Sequence, residues 1–409
     1  MYNFTYFCGS KISDFSSEKL FGLMRPFEDI TVKFPITGVT ELNGVLLDFN
    51  SGLRLQIPEG NWHVKISDYD SKIEFFDQDI SETILVSAEK FFVRWEIILY
   101  LDDEIVFYHL FDPKGQKIHF QFMPTGMGDH IVLFPYMEKF RLEHECQVSC
   151  TVPNYLQELV KLYYPYIECV EMPSDETYAI YYMAPSFSPL LFSEQCITIP
   201  MEQYGREILN LNFAEKIIYK PTKSRQIQEP YVCIAVQASS TIKSWLNPQG
   251  WDSVVEYLKN IGYRVLCIDK NQKECNRGYT LKMPQQAEDF TGDIPLSERI
   301  NLLAYADFFI GCSSGLAWLA WACDIPVILI SGITAPWFEF STPYRIYNRL
   351  VCHGCLNWTN ISWGDYERCP TYGGTERAYE CSKKISAQQV INAIDDIRTR
   401  TSNSNPTFS

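Results

Sequence analysis

The chain of 409 residues has room for two or three domains at about 150 residues each, so its cores need no disulfide staples and a mini-protein is excluded. Apolar residues make up 46% and charged residues 21%, the balance of an ordered, packed protein. Thirty-five Lys plus Arg against fifty Asp plus Glu leave a formal charge of −15. No global field therefore draws the chain to nucleic acid or anionic lipid, and a polyanionic ligand would need a local basic pocket.

In chain order, residues 1–42 form an N-terminal arm of mixed character. No basic stretch followed by an apolar core begins it, so it does not read as a secretory signal and the expected location is the cytoplasm. Across 43–122 the pattern changes to short β-branched and aromatic runs at 45–49, 53–57, 63–66, 73–76, 84–86, 91–100 and 105–111. Turn residues such as Asn50-Ser51-Gly52 and Pro58-Glu59-Gly60 separate them, which predicts an all-β, barrel-like domain.

From 123 to 228 the rhythm alternates strand with helix, the pattern of a parallel sheet with crossover helices, and predicts a first Rossmann-like domain. Strands are expected at 119–123 and 147–152, and helices after Asp129 and at 154–162. A poorly patterned bridge at 213–229 leads to a second Rossmann-like domain over 229–350. It has expected strands at 231–236, 263–268, 308–310 and 327–330, and helices at 251–261, 296–306 and 316–323. The apolar stretch 308–323 is interrupted by Gly311, Ser313, Ser314 and Gly315 and falls short of the ~20 residues of a membrane span. Residues 386–409 read as a helix followed by a tail, disordered from Thr399.

Three loops at expected strand ends could carry chemistry. In the first, Gly126-Met127-Gly128-Asp129, glycines let the backbone turn and approach a ligand while Asp129 projects at a helix start. Asp129 reads as a general base or as a helix-capping aspartate. Its neighbour His130 reads as a solvated helix residue. The second loop, Ser239-Ser240-Thr241-Ile242-Lys243, offers hydroxyls and one cation to a phosphate without P-loop glycines, or else leaves Lys243 as a surface lysine. The third, Ser313-Ser314-Gly315, opens an apolar helix whose free amides form an anion site, or which is a plain capped core helix. Of the 14 cysteines, ten are scattered. The others, Cys352-x2-Cys355-x13-Cys369-x11-Cys381, supply four thiolates for a closed tetrahedral structural site, zinc or a single rubredoxin-like iron.

The turn ending in Asp129, the Lys243 loop, the run from Ser313 to Trp321 and the cysteine spacing together resemble the bacterial autotransporter heptosyltransferases, relatives of the lipopolysaccharide heptosyltransferases. The resemblance implies a GT-B fold with an N-terminal barrel and transfer of heptose from ADP-heptose to serine hydroxyls of an autotransporter adhesin passenger. It also implies one structural iron (Fe3+) per chain on Cys352, Cys355, Cys369 and Cys381 in a finger at 351–385, and a large homo-oligomer, up to a dodecamer. In the lipopolysaccharide relatives the third loop usually reads Asp-Thr-Gly followed by a helix His; here those positions hold Ser313, Ser314, Gly315 and Trp318.

A nucleotide-sugar reaction of that kind needs a base for the acceptor and stabilisation of the departing diphosphate. Asp129 would take the serine proton from the acceptor side while Lys243 and Ser313, Ser314 and Gly315 hold the leaving ADP, in a single inverting displacement. Thr125, Gly126, Gly128 and Thr241 complete the expected donor-binding set. Asp269, at a strand end, would accept ribose hydroxyls or be a plain loop carboxylate, and Arg299 is a further phosphate candidate. The alternatives are a lipopolysaccharide-type heptosyltransferase and a non-catalytic adhesin-binding scaffold. No nucleic acid and no membrane span are expected.

Overall fold

The computed structural model describes residues 7–11, 40–87, 91–122, 126–183, 198–276, 278–358 and 368–404, with Ile36 and Gly38. Thr125 lies outside them. The first strands are β1 (Phe7–Lys11), β2 (Leu46–Asn50), β3 (Arg54–Ile57), β4 (Trp62–Asp68), β5 (Glu74–Ile80), β6 (Thr83–Ser87), β7 (Trp95–Leu101) and β8 (Glu104–Leu110). Every expected run is met by a strand, but among the described residues these strands do not form one closed sheet. They divide between two open sheets: β5-β4-β7-β8 is antiparallel, whereas β1-β6-β3-β2 is the antiparallel flank of a larger sheet. Burial alternates strictly along the start of β4 and β7, so one face of the four-stranded sheet supplies Val64, Ile66, Ile97 and Leu99 to the core and the other faces water.

The remainder of the larger sheet belongs to the first α/β domain. Its strands are β9 (Lys117–Phe122), β10 (Gln147–Thr151), β11 (Ile167–Cys169) and β12 (Ala179–Met183), with the helices α1 (Met127–Glu143) and α2 (Gln157–Tyr163) between them. The order β12-β9-β10-β11 is parallel throughout, and β12 joins the flank by pairing Ala179 with Phe49 of β2. Strand β12 is buried at every position, as a central parallel strand covered on both faces must be.

A short helix, α3 (Tyr204–Leu209), begins the connection to the second domain. That domain consists of β13 (Tyr231–Ala235), α4 (Gly250–Asn260), β14 (Arg264–Cys267), the hairpin β15 (Lys273–Asn276) and β16 (Tyr279–Lys282), β17 (Glu288–Asp289), α5 (Leu296–Leu303), β18 (Phe309–Cys312), α6 (Gly315–Ala322), β19 (Val327–Ile330) and β20 (Arg345–Ile346). Its parallel sheet runs β17-β14-β13-β18-β19-β20. A short helix α7 (Glu380–Lys383) and the long α8 (Ala387–Ser404) end the described chain. The helix continues past Thr399, where a disordered tail was expected.

The two α/β domains share one core. Phe134 of α1, Trp318 and Leu319 of α6, and Phe340 belong to a single buried cluster. Two glycines permit the crossing of α1 and α6: a Cβ on Gly128 would lie 2.3 Å from the Trp318 ring, and one on Gly315 would lie 2.6 Å from Cβ of Met127. The bridge docks on the other end of α6, where Lys216 Nζ donates to the Trp321 carbonyl and pairs with Asp324, both at 2.8 Å. A cation at a helix C-terminus is favoured by the dipole.

Candidate functional site

Both parallel sheets place a loop at the point where strand order reverses. In the first domain β9 lies between β12 and β10, and the Gly126 loop follows β9; in the second, β13 lies between β14 and β18, and the Lys243 and Ser313 loops follow β13 and β18. Ligands of open α/β sheets bind at such points, beyond the carboxyl ends of the strands. Here the three loops meet in one cleft of about 590 Å³ lined by Gly126, Gly128, Asp129, Lys243, Asp269, Ser313, Ser314 and Gly315, with Trp318, Phe338 and Met201 as an apolar wall. The sequence therefore brings eight of its proposed residues to a shared space.

Asp129 sits in the first turn of α1, half-buried, and its Oδ2 accepts the Gly126 N–H at 2.9 Å. This is one arm of a capping box, and it holds the carboxylate at the cleft mouth. The capping role thus coexists with placement on the cleft. His130 is fully buried, not solvated: its Nδ1 lies 2.9 Å from the Gly126 carbonyl, and its ring stacks on Phe122. It pins the loop from below.

Lys243 ends a 3-10 turn and is half-buried on the cleft wall. Thr241 of the same turn is 1% exposed and is not among the lining residues. Ser313 turns inward as well, where its hydroxyl lies 2.8 Å from Ser331 Oγ and donates to Glu339 Oε2 at 3.0 Å. Ser314 caps α6 with extended backbone, and its hydroxyl is buried with no partner among the described residues. A buried polar atom left unpaired beside free helix amides is an anion-facing arrangement.

Asp269 reaches the cleft wall with both oxygens engaged. Oδ2 accepts the Val236 N–H at 2.8 Å and Oδ1 the Gln237 N–H at 3.2 Å, so the carboxylate ties the end of β13 to that of β14. Burial pushes its pKa up to about 6 in spite of those bonds. Arg299 is buried away from this cleft and spends its guanidinium on the carbonyls of Phe290, Asp269 and Gly292. It lines a second cavity, of about 950 Å³, which meets the cleft at Met127, Lys270 and Leu316. Its bonds to those carbonyls brace the loop after β14 and that before α5, and Arg299 is not among the residues lining the cleft.

Cys355, Cys369 and Cys381 are buried and Cys352 is half-buried. Burial, with the neighbouring thiols adding to it, pushes Cys355 and Cys381 up to about 12. The four thiols thus gather in one module, but among the described residues no three His, Cys, Asp or Glu side chains form a group that could hold a metal ion. Residues 359–367, between Cys355 and Cys369, lie outside the described set. Two features of the site were not foreseen: Glu339, whose apolar surroundings in the sequence hide it, and the β15–β16 hairpin, which puts Glu274 on the cleft.

Two α/β domains facing one cleft, with an acidic turn on one side and a cationic loop and helix start on the other, define a GT-B-like glycosyltransferase architecture. Residues 201–353 match Glycosyltransferase family 9 (heptosyltransferase), and residues 42–103 match Glycosyltransferase TibC, N-terminal domain. The autotransporter heptosyltransferase Aah of Escherichia coli is 38% identical over 88% of this chain and 95% of its own length. The structure of the dodecameric iron-containing heptosyltransferase TibC in complex with ADP-D-beta-D-heptose superposes with a TM-score of 0.85, at 36% identity, covering 91% of this chain and all of that one. The inactive autotransporter heptosyltransferase BimC of Burkholderia thailandensis is 32% identical over 87% of this chain and 86% of its own length. The chain belongs to the autotransporter heptosyltransferase family.

Proposed function

We propose that this chain transfers heptose from ADP-heptose to serine hydroxyls of an autotransporter adhesin passenger, with inversion, in a single displacement. The observation that carries the reading is the convergence of Asp129, Lys243 and the Ser314–Gly315 helix start on one cleft. Asp129 Oδ1 or Oδ2 takes the proton of the acceptor hydroxyl as its oxygen attacks the anomeric carbon. The bond to the ADP oxygen breaks, and Lys243 with the amides at the start of α6 stabilises the diphosphate that departs. No second carboxylate is needed as a nucleophile, because one displacement inverts the centre.

The apolar wall of Trp318, Phe338 and Met201 keeps water from competing with the acceptor. Arg299 and Asp269 act at one remove, bracing the loops that follow β13 and β14. One structural iron, as in the iron-containing TibC structure, would be held by the thiols of Cys352, Cys355, Cys369 and Cys381, a donor set whose chemistry suits it, and would supply rigidity, not chemistry. The reading further includes action in the cytoplasm and assembly into a dodecamer, as in the TibC structure. Among the described residues no helix is long and apolar enough to cross a membrane.

The test is to incubate the protein with ADP-heptose and a passenger fragment, then map mass increments by peptide fragmentation. Increments of one heptose on serines are expected. Transfer only to a lipid-linked sugar would favour the lipopolysaccharide-type reading, and binding of the passenger without transfer would favour the scaffold.

A further inference from the structure

Glu339 is a buried carboxylate in the cleft wall, with 4% of its side chain exposed. Among the described residues its hydrogen bonds fall on one oxygen: Oε2 accepts from Ser313 Oγ at 3.0 Å, Thr334 Oγ1 at 2.5 Å and Arg345 Nη2 at 3.0 Å. Ser331 lies between the two hydroxyls, 2.8 Å from Ser313 and 2.6 Å from Thr334. Ser313 has a single proton, which is in reach of both Ser331 Oγ and Oε2, and Thr334 with Arg345 already supplies two donors to Oε2. Oε1 has no protein partner among the described residues, and it is not among the polar atoms sealed from solvent. The side chain is thus held almost wholly inside the wall while Oε1 opens on the cleft with its acceptor capacity unused, free to take a hydrogen bond from a ligand.

We infer that Glu339 Oε1 accepts hydrogen bonds from hydroxyls of the donor sugar, and so makes Glu339 a specificity-determining residue; this rests on the ADP-heptose reading above. The chemistry selects that part of the donor. A carboxylate repels a diphosphate, which has Lys243 and the start of α6 to go to, whereas a polyhydroxylated ring offers only donors and weak acceptors. Arg345 balances the charge of Glu339 at 3.0 Å, so the neighbouring anion site is not penalised. Trp318 and Phe338 on the same wall present apolar faces to the C–H side of a sugar ring. Ser313 and Thr334 aim the carboxylate, and thereby tie its position to the loop that begins α6.

The experiment uses the full chain with ADP and ADP-heptose as probes. In Glu339→Gln the amide oxygen can take over the contacts of Oε2, while a donor replaces the acceptor facing the cleft. ADP affinity should stay within about twofold, and ADP-heptose should lose about tenfold or more relative to ADP. An unchanged ratio, or an equal loss for both ligands in a folded variant, overturns the inference. Wild-type protein gives an arm that needs no variant: among singly deoxygenated ADP-heptoses, at least one should bind about tenfold more weakly, and losses of no more than about twofold throughout contradict the assignment. Failure of wild-type protein to bind ADP-heptose at all would instead remove the functional reading, and this inference with it.

Discussion

At the scale of single residues, the cleft separates groups that bind from groups that react. Asp129 is held at the mouth by the Gly126 amide, so its removal should leave donor binding intact while transfer slows by about 10²–10⁴, the usual contribution of a general base. Steady-state transfer together with ADP-heptose titration of Asp129→Ala checks both halves. Lys243→Ala removes a charge-assisted contact, and ADP affinity should fall by roughly tenfold to a hundredfold in calorimetric titration. Asp269 makes a pH-dependent contribution whose sign follows from burial. Its pKa is raised from 3.8 to about 6, so the folded protein holds this proton more tightly than the unfolded chain does. The stability it confers is present below pH ~4 and is lost as pH rises through ~6, by an amount on the order of 3 kcal/mol. Urea unfolding of the wild type against Asp269→Asn at pH 4.5 and 7 should show the wild type losing ground to the variant at the higher pH.

At the scale of elements, the arrangement hinges on α1 meeting α6. The Trp318 ring occupies the space a Gly128 side chain would need, one residue before Asp129. Gly128→Ala must therefore push Trp318 or Asp129 aside, and overpacking of this kind costs about 1–3 kcal/mol. Thermal unfolding should show the loss, and Trp318→Leu in the same chain should restore part of it.

This contact also marks the limit of what the sequence alone conveys. Periodicity located the strands β9, β10, β13, β14, β18 and β19 and the helices α1, α2, α4, α5 and α6, because buried parallel strands are continuous apolar runs and their helices carry an apolar stripe. It did not distinguish a barrel from two open sheets, since strand pairing is not written in alternation. It also missed β1, the short strands β11, β15, β16, β17 and β20 and the short helix α3, and it missed β12. Of the site, the loops after β9, β13 and β18 were legible as glycine, lysine and serine turns. The roles of Arg299 and Thr241 were not, because a cation or hydroxyl looks the same in sequence whether it faces a ligand or its own backbone. Glu339 was invisible for a related reason: the hydroxyls that orient it come from Ser313, in the distant loop after β18, and from Thr334.

At the scale of the whole molecule, the cysteine module buttresses the second domain's share of the cleft. The Gly354 and Leu356 amides donate to the carbonyls of Gly332 and Ile333 at 2.9 Å, in the loop that leads to Thr334. On the other side Ser382, next to Cys381, accepts the Leu246 N–H at 2.8 Å and donates to the Ser244 carbonyl, just after Lys243. Loss of a thiolate should consequently be felt in the cleft. Cys369→Ser is expected to lose bound metal by elemental analysis and to weaken ADP-heptose binding, although Cys369 does not line the cleft; undiminished affinity in a metal-free variant would separate the module from the site.

A cleft that performs transfer differs from one that merely binds, a distinction sharpened by an inactive relative of 32% identity. Single-turnover transfer to a passenger fragment at saturating ADP-heptose, wild type beside Asp129→Ala, tests it most directly. Heptose on passenger serines is expected with the wild type, and a rate at least about a hundredfold lower with the variant at equal donor occupancy. Equal rates in the two proteins, or no transfer by wild-type protein saturated with donor, would contradict it.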